Sequence, residues 1–393
     1  MKDKSIRKIC VVLVNRANYG RMKPVMSELK ANKSFELQII CAGSMLLDRF
    51  GQAEKVVEAD GFQVNSRIYT EVEGSTPTSM AKSIGFGIIE FTSEYTKLDP
   101  DLVLIIGDRY EAVSATVSAA YMNLFIAHIQ GGELSGSIDE SARHVITKFA
   151  HLHFPATKRA AEYIVRMGER QDSVFNFGCP VGDYILNLEK KIDINLFQEG
   201  VGTPIDPNEP FLLVIYHPVT TSFNEQANQA NELLMALHEK HMPTLWLWPN
   251  IDAGSDIISK EIRRFREMHN PDWLHLLKNI DPENFQKLLK MTQCAIGNSS
   301  SFIRDTTFTG TPVVLVGDRQ YGREHGKNLI ECGANKAEII DSLNFQLQHG
   351  RYENEGLYGD GSAAPKIVKT LEDFKPYIQK TLQYPFNDEH SNN

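Results

Sequence analysis

Cysteine is scarce in this chain of 393 residues: the five present, Cys10, Cys41, Cys179, Cys294 and Cys332, are odd in number, widely spaced and mostly inside or beside apolar runs. That pattern argues against a disulfide framework and fits a reducing compartment. No zinc-type spacing occurs, and no apolar run approaches the ~18 residues that cross a bilayer. The N-terminal stretch MKDKSIRKICVVLV has a short apolar run that enters Asn15-Arg16 without a small-residue cleavage pattern, so a cytoplasmic protein away from membranes is expected. Positive charge is also in deficit. A formal charge of -9, with Lys and Arg scattered, argues against sequence-independent nucleic-acid binding, which needs a basic face to displace counterions. Neither G-x-G-x-x-G in a strand-to-helix turn nor G-x-x-x-x-G-K-[ST] is found, and Gly85-Phe86-Gly87 falls inside a helical pattern, where close helix packing is the expected role. A dinucleotide cofactor is therefore not indicated, and the expected partners are small molecules.

What is present is an alternation of strand-like and helical runs. Ile9 to Val14, Arg21 to Ala31, Leu37 to Cys41 and Leu46 to Ala59 have the βαβ rhythm of a parallel sheet covered on both faces. A second series, Phe211 to Tyr216, Thr244 to Trp248, Leu274 to Leu277, Cys294 to Ile296 and Val313 to Val316, predicts another such sheet. Between them, Asn195 to Pro210 is the most linker-like stretch. The fold class expected is α/β, with two doubly wound domains facing each other across a cleft.

The richest chemistry lies in Gly107 to His144. Leu102 to Ile106 and Leu124 to Ile129 read as buried strands, whose ends deliver Asp108 and Arg109, then Gln130-Gly131-Gly132-Glu133. Ser137-Ile138-Asp139-Glu140 has capping-box form, and Asp139 with Arg143, and Glu140 with His144, are spaced to pair along the helix that follows. Acids at helix starts are ordinarily caps, but two consecutive strand ends supplying Asp108, Arg109 and Glu133 indicate a site. Asn15 to Arg21, joining the first strand to the first helix, suits an anion, with Arg16 and Arg21 supporting phosphate. In the second half, strand ends present His217-Pro218-Val219-Thr220-Thr221, Pro249-Asn250, Gly297-Asn298-Ser299-Ser300 and Gly317-Asp318-Arg319. Hydroxyls and free amides at a helix start, with Arg319 nearby, suit a diphosphate. His151-Leu152-His153 would place two rings on one strand face without a neighbouring acid or cysteine, so no metal site is expected.

These motifs, in order from about residue 8 to Tyr358-Gly359-Asp360-Gly361, resemble the hydrolysing UDP-N-acetylglucosamine 2-epimerases of sialic acid-type pathways. The resemblance implies a GT-B fold, with a first Rossmann-like domain over 1–180 rejoined by a final helix at about 366–385, and a UDP-binding domain over 181–365. It implies no redox cofactor or essential metal, and a homodimer or homotetramer. It also implies elimination of UDP across C1 and C2 of the sugar through a glycal, then addition of water to release a 2-epimerised sugar such as N-acetylmannosamine. Asp108, Glu133 and Asp139 are then the candidate acids and bases, with Arg143 orienting them and His217 contacting phosphate or shuttling a proton. Arg16, Gly20, Arg109, Gln130, His144, Asn250, Ser299, Ser300, Asp305 and Arg319 are the candidate substrate contacts.

Three positions depart from the family's pattern. Gln130 stands where several relatives have a catalytic Glu, and since an amide exchanges no protons at neutral pH, that duty passes to Glu133. Met45 replaces a frequent His, and Asp305 replaces a ribose-binding Glu. UDP-N,N'-diacetylbacillosamine is an alternative substrate that shares all these motifs. A GT-B glycosyltransferase would need no acid cluster in the first half, and a non-enzymatic sugar-nucleotide sensor would not retain Asp108, Glu133, Asp139 and His217.

Overall fold

The computed structural model describes residues 6–74, 76–189, 192, 197–219, 224–249, 252–278 and 280–383. Its first half holds β1 (Arg7–Leu13), α1 (Arg16–Ala31), β2 (Phe35–Ala42), α2 (Glu54–Ala59), β3 (Ser66–Ile68), α3 (Pro77–Leu98), β4 (Leu102–Ile106), α4 (Tyr110–Tyr121), β5 (Phe125–Ile129), α5 (Ile138–Phe149), β6 (Leu152–Phe154) and α6 (Lys158–Arg166), and α13 (Ala363–Asp373) returns to it from the end of the chain. The six strands form a parallel sheet in the order β3-β2-β1-β4-β5-β6. β4 and β5 are buried along their whole length because helices cover both faces, which is why they read as unbroken apolar runs. Gly87 lets α3 approach α4: a Cβ there would lie 2.7 Å from the Ser114 side chain, and Ser114 and Ser118 donate across to the carbonyls of Ile84 and Ile88.

The second half holds α7 (Val181–Ile185), β7 (Val201–Gly202), β8 (Leu212–Ile215), α8 (Gln226–Lys240), β9 (Thr244–Leu247), α9 (Ser255–His269), β10 (Leu274–Leu277), α10 (Pro282–Met291), β11 (Cys294–Gly297), α11 (Ser301–Thr309), β12 (Val313–Val316), β13 (Leu329–Cys332) and α12 (Lys336–His349). Its sheet runs β13-β12-β11-β8-β9-β10-β7, parallel except for β7, which pairs antiparallel with β10. The stretch that reads as a linker is therefore part of this half: β7 is its edge strand, and Phe197 and Ile205 enter its apolar core.

The core residues show where the chain changes halves. Phe177 packs on the first half's core and Cys179 belongs to the second's; Tyr358 belongs to the second and Ala363 to the first. The two crossings touch. Cys179 N donates to Tyr358 O at 2.7 Å, and a Cβ on Gly178, whose φ is +89, would come within 2.5 Å of that same oxygen. The returning α13 has its first amides held by the Asp183 carboxylate. This helix ends at Asp373, earlier than the sequence suggests, and Phe374 to Gln383 continues without regular structure along the first half. Tyr377 Oη donates to His151 O, and Lys380 Nζ reaches Glu169 at 2.6 Å.

Candidate active site

In each sheet the strand order reverses beside its first long strand, and at such a point two adjacent strand ends diverge and leave a crevice. In the first sheet β1 and β4 diverge, presenting Asn15 and Arg16 beside Asp108 and Arg109; in the second β8 and β11 diverge, presenting His217 beside Asn298 and Ser299. The two crevices face each other and enclose a cavity of about 160 Å³. Arg16, Gly20, Asp108, Arg109, Asp139, His217, Ser299, Ser300, Asp305 and Arg319 all line it. Asn250 and Thr220-Thr221 lie outside the described residues.

At one end the helix starts face each other. Asn15 caps α1 by accepting from Asn18 N, so α1 begins at Arg16 and the residues read as a turn form its first coil. A Cβ on Gly20 would lie 3.3 Å from Pro282 at the start of α10. Burial brings the Arg16 guanidinium down to about 10, with Asp281 acting the other way. Arg21 Nη2 donates to Ser301 Oγ at 3.1 Å and, more distantly, to Ser300 Oγ at 3.4 Å. The start of α11 thus meets Arg21 of α1, and Arg16 lines the same cavity. Asn298 fixes the adjoining loop, accepting from His217 N at 2.7 Å and donating to His217 O at 2.8 Å. Asp305 is buried, its carboxyl raised by burial; Gln286 donates to Oδ2, while Oδ1 has no partner.

At the other end carboxylates and guanidiniums interleave, and the pairing differs from what helical spacing suggests. Arg143 turns from Asp139 to bond Asp108, 35 residues away in sequence, and also donates to Glu133 O at 2.6 Å. Asp139 instead meets Arg319 of the second half at 3.1 Å. The Glu140–His144 pair forms at 3.7 Å, but Glu140 accepts from Ser135 N in place of closing a capping box on Ser137. Burial pushes Asp108 up, but Arg143, Arg323 and Arg304 outweigh it and hold the carboxyl well below the usual range. Asp139 moves the opposite way, raised by burial and by Asp108 and Asp252 against Arg319. His217 is half-buried, and desolvation with Arg319, Arg109 and Arg16 pushes it well below the usual imidazole range, so it is neutral.

Several expected residues stand back from the cavity. Glu133 accepts from Arg304 at 2.6 and 3.1 Å and lies 3.5 Å from Arg323, which itself forms part of the wall. Burial raises its carboxyl, Arg304 and Arg323 lower it further, and it stays ionised. Gln130 donates to Cys179 Sγ at 2.9 Å from a backbone with φ of +65, and His144 is paired outward. Glu133, Gln130, Arg143 and His144 are thus all absent from the cavity wall. Sequence reading missed Arg304, Arg323, Asp252 and Glu111, whose partners lie across the cleft or in a neighbouring loop; only the burial of so many charges together could have flagged them.

His151, just before β6, stacks on Phe125, and His153 lies within the strand. His153 faces Glu169 at 3.3 Å, an acid that sequence reading did not place beside it, and no group of three His, Cys, Asp or Glu among the described residues could hold a metal ion. No described helix is long and apolar enough to cross a membrane.

The profile of the family described as UDP-N-acetylglucosamine 2-epimerase matches residues 27–372. A UDP-N,N'-diacetylbacillosamine 2-epimerase (hydrolyzing) of Legionella pneumophila is 31% identical over 93% of this chain and 96% of its own length. A UDP-N-acetylglucosamine 2-epimerase of Neisseria meningitidis is 28% identical over 93% of this chain and 94% of its own. The crystal structure of UDP-GlcNAc 2-epimerase from Neisseria meningitidis bound to UDP-GlcNAc superposes with a TM-score of 0.76 at 17% identity, covering 93% of this chain and all of that one. The two facing sheets are those of the GT-B fold.

Proposed function

The chain belongs to the UDP-N-acetylglucosamine 2-epimerase family, and from that premise we propose that it hydrolyses UDP-N-acetylglucosamine to UDP and N-acetylmannosamine by elimination and hydration. The observation that carries the reading is the opposed behaviour of Asp108 and Asp139 in one cavity: one carboxyl is locked as an anion and the other is pushed toward holding a proton. Environments that drive two acids apart divide the labour between them.

Asp139, the stronger base, removes the C2 proton, and its electron pair forms the C1–C2 double bond as the C1–O bond to UDP breaks. Asp108, fixed beneath Arg143 and Arg323, balances positive charge developing at C1. The departing diphosphate takes the negative charge toward Arg16, Arg21 and Arg319 and the amides that open α11. Water then adds its hydroxyl to C1. Neutral His217, on the opposite wall, accepts the proton released by that water and delivers it to the other face of C2, while Asp139 loses its proton to solvent. Asp305, with Gln286 donating to it, lines the same cavity and is the candidate contact for the ribose.

Turnover in deuterated water should place deuterium at C2 of the released sugar, and a product that kept its original C2 hydrogen would exclude the elimination. Asp139→Asn should lower kcat by roughly 10²–10⁴-fold, the usual range for a general acid–base group. A second reading, with UDP-N,N'-diacetylbacillosamine as substrate for legionaminic acid synthesis, is favoured by the 31% identity to the Legionella enzyme. Incubation with each UDP-sugar and identification of the free sugar separates the two.

A further inference from the structure

Arg109 is held from two sides. Its Nε and Nη2 reach Glu111 Oε2 and Oε1 at 3.3 and 3.4 Å, while Nη1 donates to Asp252 Oδ1 across the cleft. Behind it, Tyr110 lies with its ring 5.0 Å from the guanidinium carbon and its hydroxyl donating to Glu71 Oε2 at 2.7 Å. The Glu71 and Glu111 carboxyls converge on Gly43, at the end of β2. A Cβ added there would stand 3.0 Å from Glu111 Oε1 and 3.3 Å from Glu71 Oε1. Glu111 and Asp252 therefore grip one guanidinium, and Glu71, beside Glu111 at Gly43, lies within its electrostatic reach. Arg49 acts on Glu71 from the exposed side, and Arg319 divides itself between Asp252 and Asp139. Carboxyls crowded in this way in a buried setting do not all ionise, and one proton is held among them. Burial raises both glutamates, with Arg109 opposing, and pushes Glu111 up to about 8.

We propose that Glu71 and Glu111 share one proton and act as the positioning pair that aims Arg109 across the cleft at Asp252. With a single negative charge on the pair, the guanidinium's strongest attraction is to Asp252 and the sugar end of the cavity stays closed. With a second charge, Arg109 is drawn back toward Glu111 and the contact across the cleft weakens. Neither glutamate touches the cavity, so both act through Arg109.

The test rests on the hydrolysis proposed above for its kinetic arm only. In wild-type protein kcat/KM should fall as pH rises through about 8. Glu111→Gln supplies a side chain of the same shape that never ionises, so it should keep kcat/KM at pH 7 within about threefold of wild type and move the alkaline fall up by at least about one pH unit. Glu111→Ala, which lets the guanidinium wander, should lose about tenfold or more. The infrared spectrum should contain a carboxylic-acid carbonyl band at pH 7 that bleaches over the same alkaline range and is absent from Glu111→Gln or from Glu71→Gln. The proposal is overturned if the Glu111→Gln profile superimposes on the wild type, if Glu111→Gln is as impaired as Glu111→Ala, or if the band survives in both Gln variants. A wild-type protein that hydrolyses no UDP-sugar at any pH would refute the reading of function, while the infrared band would still decide the shared proton.

Discussion

Glu133 is where residue chemistry and residue placement part company. The sequence offers it as the replacement for a missing catalytic acid at Gln130, yet its carboxylate is spent on Arg304 and Arg323 behind the cavity wall. A buried carboxylate held by two guanidiniums is the counter-charge that keeps them in place, and removing one partner from such a group costs about 3–5 kcal/mol. Glu133→Gln is therefore expected to lower the melting temperature markedly and to reduce kcat less than Asp139→Asn does. An unchanged melting temperature with kcat reduced as far as in Asp139→Asn would restore Glu133 as the proton carrier. Asp108, Asp139, His217 and Arg319 were legible because consecutive apolar strands end just before them or just before the helix that Asp139 enters, which gathers polar groups at the ligand-binding edge of a sheet. Their pairing was not legible. Arg143 could be matched to Asp139 by helical spacing, but the choice of Asp108 depends on β4 ending beside α5, a distance that no local pattern encodes.

Among the elements, the long buried strands were readable from continuous apolar runs, whereas β3 and β13 were not, being short and partly exposed or polar. The first helix was misjudged at its start because Asn, Gly and Arg suggest a turn, although Asn15 is a capping residue that lets α1 begin one residue later. The segment after α13 is the least legible part, since nothing in Phe374 to Gln383 is periodic. It is fastened by side chains. Phe374 and Tyr377 pack around Phe125, and Lys380 Nζ meets Glu169 and the carbonyls that end α5. Burial raises the Glu169 carboxyl, but His153, Lys380 and Lys148 outweigh it and bring it down to about 2. Its contribution to stability is therefore complete above the ordinary glutamate pKa of about 4.3 and is lost as pH falls toward about 2. Glu169→Gln should cost about 2–3 kcal/mol at pH 7 and little at pH 2. Hydrogen exchange should locate the loss in α5 and the C-terminal segment, and a loss confined to the second half would contradict this account.

At the scale of the whole molecule, the halves meet through charge: Arg304 with Glu133, Arg109 with Asp252, Arg319 with Asp139, and Arg21 with the serines that open α11. A diphosphate between α1 and α11 would add a bridge that neither half can make alone. Saturating UDP is expected to lower the radius of gyration measured by small-angle X-ray scattering, while Arg16→Ala should still bind UDP, more weakly, and lose most of that change. A wild-type curve unaffected by UDP would refute the bridge. The contact between Gly178 and Tyr358-Gly359 bears on the same motion. Two covalent crossings pressed together at one point leave the halves little freedom to slide or twist independently, so opening has a pivot close to one edge and its largest travel at the other. A bulky side chain at Gly178 would wedge that pivot, altering the angle of the whole jaw from a place that never meets the substrate.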